Sequence, residues 1–349
     1  GLAFAVACVC IGGAGQFAWW VFDDPEQAGL VAAVALSLVL LVPVSLIGRT
    51  FAGVLDYRCY AGFAVAKAVL WAAATALLAS RHGVAGAVWA LVWVELLALV
   101  LGTALLFRRV IRPLGLDLRS AAPDPAAIRQ LLRLASALAL TSLAATGAVL
   151  LVRSEIVRTF GASANGLYQV AWQVGQNYLG FLGAALWTYG MPRVATQLAD
   201  PAGVQATQNQ FLRVALLALA PGIVVLLASR ALWIPILFAD AFLGAGSMLC
   251  FQLMGELMAM LRQSMNISLL PRERLGFLVF HGLLYWATWA FLSFVLLGRW
   301  GPIGPAVGYL GANAGMLVVT YAYHRRALGF RIDAANRSLL LTTMPVSPP

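Results

Sequence analysis

The chain has 349 residues, 62% hydrophobic and 10% charged, with a formal net charge of +10 and a mean hydropathy of +0.88. No water-soluble domain of this size carries so little charge, which excludes a soluble enzyme or a soluble binding module. The positive charge sits in loops between apolar stretches rather than along one face, which argues against nucleic acid as a partner.

Ten apolar stretches follow one another: residues 2–22, 28–47, 61–78, 84–107, 134–152, 166–189, 214–228, 244–270, 275–297 and 303–324. Most approach the ~20 residues that a helix needs to cross a bilayer. The longest connection between them, residues 108–127, carries paired arginines and two prolines and reads as a linker. The expected organisation is an N-terminal lobe over residues 1–108 with four spans, a cytoplasmic linker over 109–127, a C-terminal lobe over 128–326 with six spans, and a cytoplasmic tail over 327–349, polar and disordered. Transporters are often built from repeated halves. On that plan four spans against six predict two further helices upstream of residue 1.

Basic residues alternate between loops. Arg49, Arg58, Arg108, Arg109, Arg112, Arg119, Arg129, Arg133, Arg193, Arg213, Arg272, Arg274, Arg325, Arg326, Arg331 and Arg337 fall on one side. Arg81, Arg153, Arg158, Arg230 and Arg299 fall on the other, with Asp23, Asp24 and Glu26. The positive-inside rule predicts that the rich side and the C-terminus are cytoplasmic. Cys8, Cys10, Cys59 and Cys250 lie in or beside apolar stretches without metal or redox spacing, and His82, His281 and His324 are scattered. No cofactor or metal is expected.

Polar residues inside the spans carry the functional signal. In the third span Lys67 stands one turn before Trp71, and the fourth holds Glu95. The fifth aligns Ser142, Thr146 and Arg153. In the sixth, Gln169, Gln173 and Gln176 share one face at 100° per residue, flanked by Trp172 and Asn177. In the eighth, Gln252, Glu256, Gln263 and Asn266 occupy a similar arc, with Arg262 at its edge. Single amides in membrane helices commonly bridge neighbouring helices, worth ~0.6 kcal/mol on average; a whole stripe suggests a wetted wall, and amides with tryptophan suit sugars.

Charges near the bilayer centre cost ~2.5–3.5 kcal/mol on insertion scales, so they face a cavity or a partner. Snorkelling remains open for Lys67, Arg58 and Arg153. A structural ion pair remains open for Glu256 with Arg262. Lys67, Arg153 and Arg262 against Glu95 and Glu256 leave an interior that leans positive by one charge, favouring an anionic passenger. Glu95 and Glu256 are the candidate ion-coupling groups, as carboxylates within spans serve proton relays. Pro43 and Pro221 mark possible bends.

The segment 152–198 carries Arg153 before a turn with Gly161, then Gly166, Tyr168 and Gln169, the pair Tyr178-Leu179, and Tyr189 with Pro192. In this pattern it resembles the central region of the Wzx-type flippases of the multidrug/oligosaccharidyl-lipid/polysaccharide exporter superfamily. Residues 236–242 are similar, more loosely, to the family's segment after its ninth helix. The resemblance implies an all-α, polytopic, MATE-like two-lobe bundle, with helices three to twelve of twelve present and alternating access through a basic cavity. It implies translocation of polyprenyl-diphosphate-linked oligosaccharide units for O-antigen or similar surface polysaccharide, in a bacterial inner membrane. Membrane lipid, a polysaccharide polymerase and a chain-length regulator are the implied partners. By the same resemblance Arg153 is the ligand-facing cation. Lys67, Arg262, Gln169, Trp172, Gln173, Gln176 and Gln252 complete the candidate substrate-binding set. A cation-coupled multidrug antiporter, which wants an acidic cavity, and a membrane-embedded polymerase, ligase or acyltransferase, which wants chemistry on a large loop, are the alternatives.

Overall fold

In the computed structural model, residues 8–22, 25–54, 56–115 and 124–343 are described, and every regular element among them is helical. In chain order these are α1 (Ala14–Phe22), α2 (Ala28–Gly53), α3 (Tyr57–Leu106), α4 (Pro125–Ala185), α5 (Met191–Thr196), α6 (Pro201–Ala228), α7 (Arg230–Leu237), α8 (Gly246–Asn266), α9 (Leu275–Trp300), α10 (Gly304–Ala327) and α11 (Ala334–Thr343). Among the described residues six runs are long and apolar enough to cross a membrane: Ala28–Phe51, Arg58–Ile111, Ile128–Asn177, Pro201–Ala228, Asp240–Asn266 and Leu275–Ala327. This is a multi-pass membrane protein of the all-α class.

Three of those runs are double. α3 has 50 residues, which at ~1.5 Å each would extend ~75 Å against a ~30 Å hydrocarbon core. It breaks at Gly83, with φ 60° and ψ −140°, and α4 breaks in the same way at Gly161, with φ 84° and ψ 169°. Only glycine takes such torsions without strain, so one residue reverses each helix where a longer loop would otherwise be needed. α9 and α10 are likewise separated by the single turn Gly301–Ile303. The doubled runs therefore each contain two of the predicted stretches. All three turns lie on the arginine-poor side. For the first stretch, 2–22, residues 1–7 lie outside the described residues.

The chain divides into two compact units, Gly1–Pro123 and Asp124–Pro349. In the first, Val44, Ile47, Phe51, Phe63, Ala98 and Val110 form the core, with Phe51 meeting Phe63 edge-on at 6.2 Å. A side chain at Gly102 would meet Phe63 at 3.0 Å and Ile47 at 3.2 Å, so its absence brings α3's second half against α2. After Leu106 the helix widens into a π turn over Phe107–Ile111, which carries Arg108 and Arg109 out to the surface.

In the second unit α8 is the central pillar, packed against α4, α6 and α10 and buried along most of its length. Missing side chains let these helices approach. A Cβ on Gly255 would stand 2.5 Å from the Tyr309 ring, and one on Gly308 3.0 Å from the Ser293 backbone nitrogen. Pro43 and Pro221 both lie inside continuous helices.

The expected disorder after Arg326 is corrected by this structure. The His324 carbonyl accepts from the backbone N–H groups of Leu328 and Phe330, and Phe330 is buried. The chain then docks on the start of α6. The Asn209 amide donates to the Arg331 carbonyl at 3.0 Å, and the Asn336 amide donates to the Asn209 carbonyl at 2.8 Å. Arg213 pairs with Asp333 at 2.8 Å. Asp333 also caps α11, accepting from the Asn336 N–H at 2.7 Å. Polar composition made this segment look solvated; its partners are polar groups more than a hundred residues earlier. Residues 344–349 lie outside the described residues.

Candidate functional site

The second unit buries a polar and aromatic cluster where four helices meet. α4's second half supplies Tyr168, Trp172 and Gln176; α8 supplies Gln252, Glu256 and Arg262; α9 supplies Tyr285 and Trp289; α10 supplies Tyr309 and Asn313. Helical spacing explains how each element delivers them: Gln252 and Glu256 are i and i+4, as are Tyr285 and Trp289, and Tyr309 and Asn313. Gly175 permits the approach on the α4 side, since a Cβ there would lie 2.9 Å from a Glu256 carboxylate oxygen.

Glu256 is 2% exposed and Gln252 fully buried. The Gln176 and Gln252 side-chain amides both donate to Glu256 Oε1, each at 3.1 Å, and the Tyr309 hydroxyl lies within hydrogen-bonding reach of the same carboxyl group. Six residues on, Arg262 is 9% exposed. It donates to Asn313 Oδ1 at 3.1 Å and its guanidinium lies 4.5 Å from the centre of the Tyr285 ring. Asn313 in turn donates to the Tyr285 hydroxyl at 3.2 Å. Acid and base thus have separate partners. Among the described residues neither belongs to an ion pair, so a change in the charge of one does not require breaking a bond to the other.

Trp172 forms an aromatic wall beside this cluster, with ring centres 5.3 Å from Trp289, 5.4 Å from Tyr309 and 6.1 Å from Tyr168. Buried polar atoms remain unpartnered here: Arg153 Nε, the Tyr168 hydroxyl, Gln169 Oε1, Gln252 Oε1 and Arg262 Nε. Unmatched buried donors and acceptors are scarce in native proteins and mark places where water or a ligand is bound.

The predicted glutamine stripe on α4 is graded rather than uniform: Gln169 is half-buried, Gln173 and Gln176 are exposed, and Gln176 alone of the three reaches Glu256. Gln252 and Glu256, expected on a wetted wall, instead stand inside the second unit's own core. Gln263 is half-buried and Asn266 buried. The side chains of Tyr178 and Leu179 lie outside the described residues. Lys67 and Glu95 are brought together in the first unit, on facing halves of α3, at 2.7 Å, with side chains 26% and 13% exposed. Lys67 therefore does not snorkel to an interface.

Sequence reasoning missed Tyr285, Trp289, Tyr309 and Asn313. A signal existed. His281, Tyr285, Trp289, Ser293 and Leu297 repeat every fourth residue along α9 and are its buried positions; aromatic residues in an apolar run simply do not stand out as polar ones do.

A family described as polysaccharide biosynthesis protein matches residues 1–246. No curated protein matches. Among solved structures, the chain is similar to MATE in complex with MaL6, with a TM-score of 0.75, 12% identity and coverage of 97% of this chain and 78% of that one. It is similar to an outward-facing multidrug resistance MATE family transporter of the MOP superfamily, with a TM-score of 0.65, 13% identity and coverage of 94% and 77%. A MOP superfamily transporter from Pyrococcus furiosus, whose binding pocket is described as reversed in polarity with a different function suggested, gives a TM-score of 0.68 at 14% identity, with coverage of 94% and 77%. At these identities the likeness is one of fold.

Proposed function

We infer the function of this chain from one premise: it belongs to the polysaccharide biosynthesis protein family. Its part in that work, we propose, is to move polyprenyl-diphosphate-linked oligosaccharide units from the cytoplasmic to the periplasmic leaflet of a bacterial inner membrane, by alternating access, for O-antigen or similar surface polysaccharide. The observation that carries this reading is the pairing of a polysaccharide-biosynthesis family with the fold of MATE transporters. A polysaccharide pathway needs a step that carries a glycan across oil, and a bundle of apolar helices is suited to that step. It acts as a carrier and not as an enzyme. A polymerase and a chain-length regulator of the same pathway would act on what it delivers.

In this reading, amides and tryptophan hold sugars through hydrogen bonds and ring faces. Gln169, Trp172, Gln173 and Gln176 on α4 form the sugar-facing set, and the buried Gln252 stands behind them on Glu256. Arg153 and Arg262 offset the cost of moving phosphate charge through a low dielectric; Lys67 is the candidate cation of the first unit, once its pairing with Glu95 opens. Glu256 is the first candidate for coupling to protons, because its partners are neutral and it can gain a proton without losing a cation. Glu95 is the second. The drug-antiporter alternative wants acidic groups facing its cargo; here one acid of the second unit is enclosed by amides and a phenol.

The test is reconstitution. Proteoliposomes holding the purified chain and a fluorescent polyprenyl-diphosphate oligosaccharide in the inner leaflet are expected to show lectin-accessible glycan outside within minutes, and empty vesicles are not. Efflux of cationic dyes without glycan movement would overturn the proposal in favour of the antiporter.

A further inference from the structure

Glu256 and Arg262 form no ion pair among the described residues, yet a bridge of side chains joins them. Arg262 can only donate, so the Asn313 amide is oriented with Oδ1 towards it, at 3.1 Å. The Asn313 nitrogen therefore donates, to the Tyr285 hydroxyl at 3.2 Å and to the Tyr309 carbonyl at 3.0 Å. The Tyr285 oxygen is thus an acceptor on that side, and its own proton points elsewhere. Within its reach stands the Tyr309 hydroxyl, which also reaches the Glu256 carboxyl group. Tyr309 has a single proton to give, and an ionised carboxylate is the strongest acceptor beside it. The donors then all point one way, from Arg262 through Asn313, Tyr285 and Tyr309 to Glu256. Hydrogen bonds aligned head to tail between a cation and an anion polarise and strengthen one another.

A proton on Glu256 breaks this alignment. Oε1 already accepts from Gln176 and Gln252, so the incoming proton goes to Oε2. The neutral acid is then a donor; the Tyr309 oxygen accepts from it, and the Tyr309 proton turns to Tyr285. Donors from both ends now converge on the Tyr285 oxygen. Asn313 loses part of its partner there, and with it part of the polarisation that holds Arg262. Arg262 has donors to spare for an anion, its Nε being buried and without a partner. The other titratable and charged groups near this pair are Tyr168 of α4, facing Glu256 with Arg153 behind it, and His281 of α9, near Arg262. None of the three lies on the bridge.

We propose that Tyr309 and Tyr285 are positioning residues that tie the protonation of Glu256 to the release of Arg262 for a phosphate group. Ionised Glu256 keeps Arg262 on Asn313; protonated Glu256 frees it, so the second unit takes up the proton and the anion together. The proton offsets one charge of the passenger on its way through a low dielectric. This rests on the flippase reading for the anion, and on the hydrogen-bonded bridge for its control.

An anion near a carboxylate favours its protonation through space as well, so the test separates the bridge from the field. Binding of a sugar-free polyprenyl diphosphate to the full chain in nanodiscs is measured at about pH 6 and about pH 8. The probe's own phosphate titrates near this range, so every ratio of affinities is read against Glu256→Gln. The wild type is expected to favour the lower pH about tenfold more than Glu256→Gln does, an ordinary coupling between two sites. Tyr309→Phe and Tyr285→Phe keep both charged groups, and the second keeps the ring beside Arg262, but each cuts the bridge. Both are expected to fall within about threefold of Glu256→Gln. Monodispersity and thermal unfolding establish that each variant is folded. A wild type that matches Glu256→Gln would overturn the proposal, and so would phenylalanine variants that keep the wild-type ratio, since the field would then act without the bridge. If the wild type shows this linkage yet moves no glycolipid in proteoliposomes, the flippase reading falls and the bridge stands; movement without linkage does the reverse.

Discussion

Glu256 illustrates what a single buried residue decides. Its carboxyl group accepts from two amides and meets a phenol, a shell that glutamine can partly satisfy and leucine cannot. Glu256→Gln is expected to keep the thermal midpoint in detergent within a few degrees, whereas Glu256→Leu leaves donors unmatched at about 1–3 kcal/mol each and lowers it clearly. In transport assays Glu256→Gln is expected to remove any dependence on an imposed pH gradient. A variant that still responds to the gradient like the wild type would exclude Glu256 from coupling and leave Glu95 to be tested. The glycines beside it act through shape. Gly255→Val drives a side chain into Tyr309, and overpacking of this kind costs about 1–3 kcal/mol; a thermal scan unchanged by it would mean that α8 and α10 can separate without loss. Arg262→Lys keeps the charge but not the planar fork that bonds Asn313 while lying on Tyr285.

The elements of this fold are set by their ends as much as by their apolar faces. Gly161 holds φ 84° and ψ 169°, a region essentially closed to other residues, so Gly161→Ala is expected to lower stability by about 1–3 kcal/mol, measured as a fall in the unfolding midpoint. If the midpoint holds, the reversal of α4 does not depend on that torsion. At the other end of the chain α11 is held by side chains rather than by an apolar face. Asn336→Ala removes donors to the Asn209 carbonyl and side chain at 2.8 and 3.1 Å, each worth about 0.5–1.5 kcal/mol net, while the Asp333 N–H still reaches Asn209. The expected outcome is faster protease cleavage between residues 327 and 333, with the core bands unchanged; equal cleavage in both proteins would show that α11 docks without this clasp.

At the scale of the whole molecule, the distribution of arginines between loops predicts the orientation in the membrane. In a cysteine-free background, a cysteine at Ala126 is expected to react with an impermeant maleimide only after the membrane is opened, and one at Ser229 in intact spheroplasts. The opposite pattern would invert the topology. The membrane-spanning character of the apolar stretches was legible in the chain, because hydropathy acts locally and needs no partners. A turn at Gly161 was implied by the resemblance of residues 152–198, and the structure makes it a reversal of the helix. What no one-dimensional pattern contained was partnership. Lys67 finds Glu95 across a hairpin, Glu256 finds Gln176 eighty residues earlier, and Arg262 turns to Asn313 and Tyr285 instead of to Glu256. The polar tail finds α6 and becomes a helix. Which charges are matched, and which stay open for a ligand, is set by which helices touch. That depends on close approaches at glycines such as Gly175 and Gly255, distances that only the packed structure fixes.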